Sequence, residues 1–156
     1  MTEETTRNLY ILCGPPASGK SGWARNKEEE RGATVVSADD FFMKDEIYCF
    51  DKYKLSAAHE QCRQRVALMM IFDQPLIIVD NTNSQRIEYL KYLELANTYG
   101  YKPRFYDFSD DTVPDEEHVR RSVEVRHNVP LHAIQNIRRR FEHHPYAIYI
   151  YPQKIR

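Results

Sequence analysis

The 156-residue chain carries 22 Lys and Arg against 23 Asp and Glu, a net charge of -1, with 42% hydrophobic and 29% charged residues. That is enough chain for one domain with a substantial core and too little for two ordinary ones. The balanced charge excludes a generally basic nucleic-acid binder, so any such contact must rest on a local patch, and no apolar run approaches the length of a membrane-spanning helix.

Met1 to Asn8 is acidic and hydroxyl-rich, without the cationic start and apolar stretch of a signal peptide. Residues 1–7 are expected to form a flexible arm and 8–156 a single domain. The run Leu9 to Cys13 has the profile of a buried strand and ends at Gly14-Pro15-Pro16. A helix is predicted from Lys20 to about Glu30, closed by Gly32. Ala33 to Val36 reads as a second strand that delivers Ser37-Ala38-Asp39-Asp40 at its carboxyl end. Residues 41–54 are aromatic and irregular, and Leu55 to Phe72 has the periodicity of a long helix.

Pro75 to Asp80 is another apolar strand, followed by Asn81-Thr82-Asn83-Ser84. Ser84 or Asn83 is expected to cap a helix from Gln85 to Tyr99 that Gly100 ends. Lys102 to Phe108 is a fourth strand. Two helices follow, from Asp115 to about Val125 and from Pro130 to His143, with Pro130 at a helix-start position. Tyr146 to Tyr151 reads as a last strand or a packed extension. Cys13, Cys49 and Cys62 show no zinc spacing and are expected to be buried, reduced thiols of a cytosolic or nuclear protein.

Apolar strands alternating with helices predict an α/β fold, a mostly parallel sheet covered on both faces. Ligands bind such sheets at the carboxyl ends of the strands, where three of the polar clusters fall. Residues 14–21, Gly-Pro-Pro-Ala-Ser-Gly-Lys-Ser, satisfy G-x-x-x-x-G-K-[ST] between a predicted strand and helix. Pro15 and Pro16 lack an N–H, so the phosphate donors must come from Ala17, Ser18, Gly19, Lys20 and Ser21, at the helix N-terminus. Lys20 is expected to reach the β- and γ-phosphates of a nucleoside triphosphate, with the Ser21 hydroxyl on Mg²⁺. The Asn/Thr-Lys-x-Asp signal of a regulatory GTPase is missing. An ATPase motor needs more chain, and an acidic pair where this sequence has Asp80-Asn81-Thr82-Asn83. A small kinase suits better.

Gly19-Lys20-Ser21-Gly22-Trp23-Ala24-Arg25 resembles the G-K-S-T-W-A-R run of the kinase domain of bacteriophage polynucleotide 5′-kinases, as do Asp39-Asp40, Thr82-Asn83 and Val129-Pro130. The ordered set Ser37 to Phe42, Tyr48-x-Phe50-Asp51, Leu55-x-x-Ala58-His59, Asp80 to Asn83 and the late block ending in Arg140-Phe141-Glu142 is similar to the polynucleotide-kinase-like domain of Nedd-four-binding protein two-like proteins. The resemblance covers roughly residues 8 to 142. It implies a three-layer P-loop kinase with a helical lid, which uses Mg²⁺ and ATP to phosphorylate a hydroxyl, typically the 5′-OH of RNA or DNA.

By that resemblance Asp39 is the general base, against an N-cap or outer-sphere magnesium role; Asp40 lies at the acceptor or caps the next turn. Asn81, Thr82 and Asn83 hold the acceptor, against helix capping, and the family's strand-end Asp aligns with Asp80 or Asn81. Among Arg120, Arg121 and Arg126, the lid clamp is assigned to Arg121 and Arg126. Two positions depart from the family pattern: Gly22 replaces a Thr that would contact the α-phosphate, and Phe42 replaces an arginine that supports the acceptor phosphate. Phe41, Phe42, Tyr48, Phe50 and Tyr53 form either packing over the core or a platform for an acceptor base. A nucleoside, nucleotide or metabolite kinase and a non-catalytic ATP-binding module are the competing readings; no protein partner is legible.

Overall fold

The computed structural model describes residues 6–125 and 127–151. Most of the expected arm therefore lies outside the described residues, whereas Arg7 is held: it pairs with Asp73 at 2.6 Å, and its carbonyl accepts from the Lys102 amide. Five strands, β1 (Asn8–Cys13), β2 (Thr34–Val36), β5 (Leu76–Asp80), β6 (Lys102–Asp107) and β7 (Ile148–Tyr149), form one sheet in the order β2-β5-β1-β6-β7. Every neighbouring pair runs parallel.

Alternation along β1 explains the layers. Leu9 and Ile11 point to a core shared with α2 (Leu55–Ile71) and α3 (Arg86–Tyr99), through Ala58, Cys62, Val66, Met70, Tyr89 and Tyr92. Tyr10 and Leu12 point to the other face, where α1 (Lys20–Arg31) packs Ala24 and Trp23 against Tyr106 and Phe108. Each fully buried large side chain contributes about 1.5–3 kcal/mol of transfer free energy, so a strand buried on both faces fixes its own register. Two further helices, α4 (Asp115–Glu124) and α5 (Leu131–Arg140), follow β6 in the chain and pack against each other. Among the described residues no helix is long and apolar enough to cross a membrane.

Four expectations change. The 41–54 segment contains a two-residue hairpin, β3 (Met43–Lys44) with β4 (Ile47–Tyr48), flanked by single 3₁₀ turns at Ala38–Phe42 and Lys52–Lys54. The cap of α3 is Gln85, whose capping box with Glu88 takes the place expected for Ser84 or Asn83. Helix α5 stops at Arg140, because the following residues are drawn to the sheet: the Glu142 amide donates to the Ser84 carbonyl and His143 meets Asp107 at 2.6 Å. Cys13 and Cys62 are buried and free, but Cys49 is free and exposed. Burial raises the Cys13 thiol to about 12, which leaves it inert.

Candidate active site

The carboxyl end of β1 runs into residues 14–19, which curl onto the start of α1. A Cβ on Gly14 would sit 2.9 Å from Ser18 Oγ and 3.0 Å from Phe108 Cβ, so no larger residue passes there. Ala17 (φ 61°) and Gly19 (φ 98°) are both left-handed. The resulting turn gathers amides in the manner of an anion nest. Among the described residues no protein group accepts from the amides of residues 17–19. Lys20 is buried, and its Nζ donates to the Gly14 and Pro15 carbonyls at 2.8 and 2.9 Å. The loop is tied down from the neighbouring strand by the Gly14 amide, which donates to the Thr82 carbonyl at 2.9 Å.

Sequence reasoning left Asp80 unassigned between two alignments. Here it ends β5 beside the loop and accepts from Ser21 Oγ at 2.8 Å. A carboxylate in hydrogen-bond contact with the P-loop serine is the pair that shares a Mg²⁺ in P-loop enzymes. Burial pushes Asp80 above the ordinary carboxylate range, against the Lys20 charge and the Ser21 hydroxyl. Burial likewise lowers Lys20, against the charge of Asp80 foremost and of Asp39 more weakly. The sequence signal for Asp80 was its position as the first polar residue after a buried strand.

Asp39 lies half-buried on the 3₁₀ turn after β2, one strand beyond Asp80. Its Oδ1 accepts from the Tyr48 hydroxyl at 3.1 Å, and burial followed by the Asp39 charge raises the Tyr48 phenol. The Tyr48 ring stacks on His127 with centroids 4.9 Å apart, so the segment between α4 and α5 leans on the partner of Asp39. Asp40 is used inside the fold: its Oδ2 accepts from the Ser37 amide and pairs with Arg65 at 2.8 Å.

The Asn81-Thr82-Asn83 loop divides between scaffold and site. Asn81 Oδ1 accepts from the Ala38 amide at 2.8 Å, which ties the turn carrying Asp39 to β5. Asn83 (φ 43°) is buried and donates from Nδ2 to the Leu12 carbonyl at 2.8 Å. Thr82 stays half-buried, and its carbonyl accepts from the Gly14 amide.

On α4, Arg121 Nε donates to Glu117 at 3.0 Å while its Nη1 is buried without a partner. Arg126 lies outside the described residues. Arg120 is an exposed helix arginine between Glu117 and Glu124. His118 went unnoticed in the sequence, because a lone histidine on a helix carries no motif. It is 1% exposed, and neither ring nitrogen has a partner. Burial foremost, then the charges of Arg138, Arg121 and Lys20, hold it neutral. Arg138 is pinned by the Asp110 and Val113 carbonyls and Asp115, so it staples α5 to the loop before α4.

Free loop amides, a lysine without a carboxylate in hydrogen-bond contact, an arginine with an orphaned nitrogen and a serine–aspartate pair together suit a polyphosphate and its divalent cation. Among the described residues no cluster of three or more His, Cys, Asp or Glu could hold a metal by itself.

The family model described as "AAA domain" matches residues 9–144. The chain belongs to the AAA domain family. This AAA domain is 38% identical over 98 residues to NEDD4-binding protein 2 of Homo sapiens, a match spanning 62% of this chain and 6% of that protein. It superposes on a chain of the Pnkp1/Rnl/Hen1 RNA repair complex with a TM-score of 0.68, at 23% identity, covering 89% of this chain and 45% of that one. A fungal RNA kinase (TM-score 0.62, 13% identity, 94% and 38% covered) and a gluconokinase from Sinorhizobium meliloti 1021 (TM-score 0.63, 14% identity, 95% and 83% covered) share the architecture. The AAA domain therefore has the P-loop kinase-type α/β fold. It spans only a small part of its curated relative and about half of the RNA-repair chain.

Proposed function

We propose that this AAA domain transfers the γ-phosphoryl group of ATP to a hydroxyl, with the 5′-OH of RNA or DNA as acceptor. The observation that carries the reading is the convergence of Lys20, the Ser21–Asp80 pair and Asp39 at adjacent strand ends. When bound, ATP supplies the phosphoryl group and Mg²⁺ neutralises its charge. The amides of Ala17 to Ser21, with Gly22 in the same first turn of α1, hold the phosphates. Lys20 trades its loop carbonyls for β- and γ-phosphate oxygens, and Ser21 and Asp80 hold the cation. Asp39 takes the proton of the acceptor hydroxyl as that oxygen bonds to the γ-phosphorus and the bond to the departing ADP oxygen breaks. Arg121, joined by Arg126, clamps the transferring group through its unpartnered guanidinium nitrogen.

Asp40 and Asn81 act at one remove by fixing the turn that carries Asp39, and the half-buried Thr82 offers its hydroxyl to the acceptor. Asn83 serves by holding that loop to β1. The polynucleotide acceptor is supported by the resemblance of the ordered motifs and by the RNA kinase and RNA repair chains among the fold neighbours. The experiment offers Mg·ATP with 5′-OH RNA, 5′-OH DNA, free nucleosides and gluconate. Labelled oligonucleotide ends are expected. Transfer to a small molecule in their place overturns the polynucleotide acceptor, and ATP binding with no transfer to any acceptor overturns the phosphotransferase.

A further inference from the structure

The 41–54 segment, which follows the turn carrying Asp39, opens into a cleft of about 640 Å³. Its walls combine rings and cations: Phe41 and Phe42 at the base, Phe50 and Tyr53 at the mouth, Lys44 and Lys54 around them. We propose that this cleft holds the leading nucleotides of a single-stranded polynucleotide, a base against Phe50 and Tyr53 and its phosphates on the lysines, with the 5′ end delivered to Asp39. The proposal rests on the phosphotransfer reading for that end and names what the acceptor side recognises.

Three observations carry it. First, two rings are left in solvent on anchored backbone. Phe50 is 53% exposed, although its edge is fixed against buried Phe42 at 5.1 Å and its plane lies 17° from that of Tyr48. Tyr53 is 86% exposed on a turn locked by Asp51, whose Oδ1 accepts from the Tyr53 amide at 3.0 Å. Exposed aromatic faces are stacking surfaces for bases of any sequence.

Second, the charge is one-sided. Lys44, Lys52 and Lys54 line the cleft with no carboxylate within ion-pair distance among the described residues, and Lys52 Nζ lies 5.2 Å over the Tyr53 ring. The single acid of the lining, Asp51, is engaged as a turn cap. Unpaired lysines interleaved with rings match a phosphodiester chain; a sugar acid or nucleoside would be held by a few convergent polar groups.

Third, the cleft is joined to the chemistry. Phe41 and Phe42 stand on the same 3₁₀ turn as Asp39, and Tyr48, hydrogen-bonded to Asp39, lies beside the Phe50 ring. Phe42 is 2% exposed and supports the rings from below, so phosphate contact passes to the lysines above.

The test has two independent readouts on the full chain. The first is equilibrium binding of a 3′-fluorescent, 5′-OH single-stranded RNA decamer without ATP. The second is phosphoryl transfer to acceptors from one to ten nucleotides long. Tyr53→Ala and Phe50→Ala are expected to weaken decamer binding about 5- to 150-fold each, the range of one lost base stack. A Lys44→Gln/Lys54→Gln variant should flatten the salt dependence of binding, by about 0.7 per lost phosphate contact in the log–log slope. Phe72→Ala, an exposed ring at the opposite end of α2, serves as control and should bind as the parent does. Transfer should improve with acceptor length in the parent and lose that dependence in Tyr53→Ala. Decamer binding that all cleft variants retain overturns the proposal, as does capture by the cleft of a folded protein and not of RNA. Cleft-dependent RNA binding with no transfer to any acceptor upholds the cleft and overturns the phosphotransfer reading alone.

Discussion

The two flanks of the P-loop strand are built in opposite ways. On the proposed nucleotide side, the side chains of the P-loop and of the neighbouring strand end are engaged within the fold: buried Lys20 on the loop carbonyls, Ser21 on buried Asp80, buried Asn83 on Leu12. On the proposed acceptor side, the chain runs through 3₁₀ turns and a hairpin of two-residue strands, with Phe50 and Tyr53 in solvent. In the proposed reaction the first region holds a polyphosphate, so its donors are oriented in advance and the cost of burying charge is accepted. The second must admit a partner, so its recognition surface stays open and its stability comes from Phe42 and Asn81 beneath it. A shared phosphate machine can thus sit beside an acceptor wall free to vary.

The sharpest way to break this contrast is at Asp80. Burial disfavours its ionised form, so the carboxylate costs stability at neutral pH. The sign follows from linkage: with a folded pKa above the unfolded one, the favourable contribution is full below the unfolded value and is lost as pH rises through the folded value. Asp80→Asn keeps a partner for Ser21 and removes the charge. It should therefore raise Tm, by about 2–4 °C for each kcal/mol relieved, while transfer falls by about 10²–10³-fold. The parent should also need more Mg²⁺ as pH falls, beginning at a higher pH than an ordinary carboxylate near 4 would require. Calorimetry and Mg²⁺ titrations of initial rate read both effects; a variant both less stable and fully active would break the contrast.

A smaller effect is expected at Gly22. A Cβ there meets nothing within 4 Å, although the residue lies in the first turn of α1. Gly22→Ala should stabilise by about 0.5–1 kcal/mol through the lower entropy of the unfolded chain. Gly22→Thr should in addition lower the KM for ATP by offering a hydroxyl to the α-phosphate. Thermal melts and ATP titrations check the pair, and a Tm loss in Gly22→Ala would show that the turn depends on glycine.

The nucleotide flank was legible in the sequence because its constraints are local. A strand buried on both faces reads as an apolar run, and Gly14, Gly19 and Lys20 are the residue types that a phosphate cradle demands at that spacing. The acceptor flank was less so. A two-residue strand pair leaves no period to detect, and Cys49 sits on that hairpin's exposed exit. Polar loop residues were ambiguous for a different reason: Asn81 and Asn83 have the chemistry of ligand contacts, yet only the packing shows them bonded to Ala38 and Leu12. His118 and the free nitrogen of Arg121 depend on how α4 lies on the domain, which no spacing records.

The central claim is that the buried phosphate site and Asp39 divide the work of one transfer reaction. The direct measurement is ATP affinity and single-turnover phosphoryl transfer to a 5′-OH oligonucleotide, compared in the parent, Lys20→Ala and Asp39→Asn. Both variants should lose transfer by at least about 10²-fold, but only Lys20→Ala should lose ATP affinity, with Asp39→Asn binding ATP as the parent does. Transfer that persists in Asp39→Asn, or ATP affinity that survives Lys20→Ala, would contradict the account.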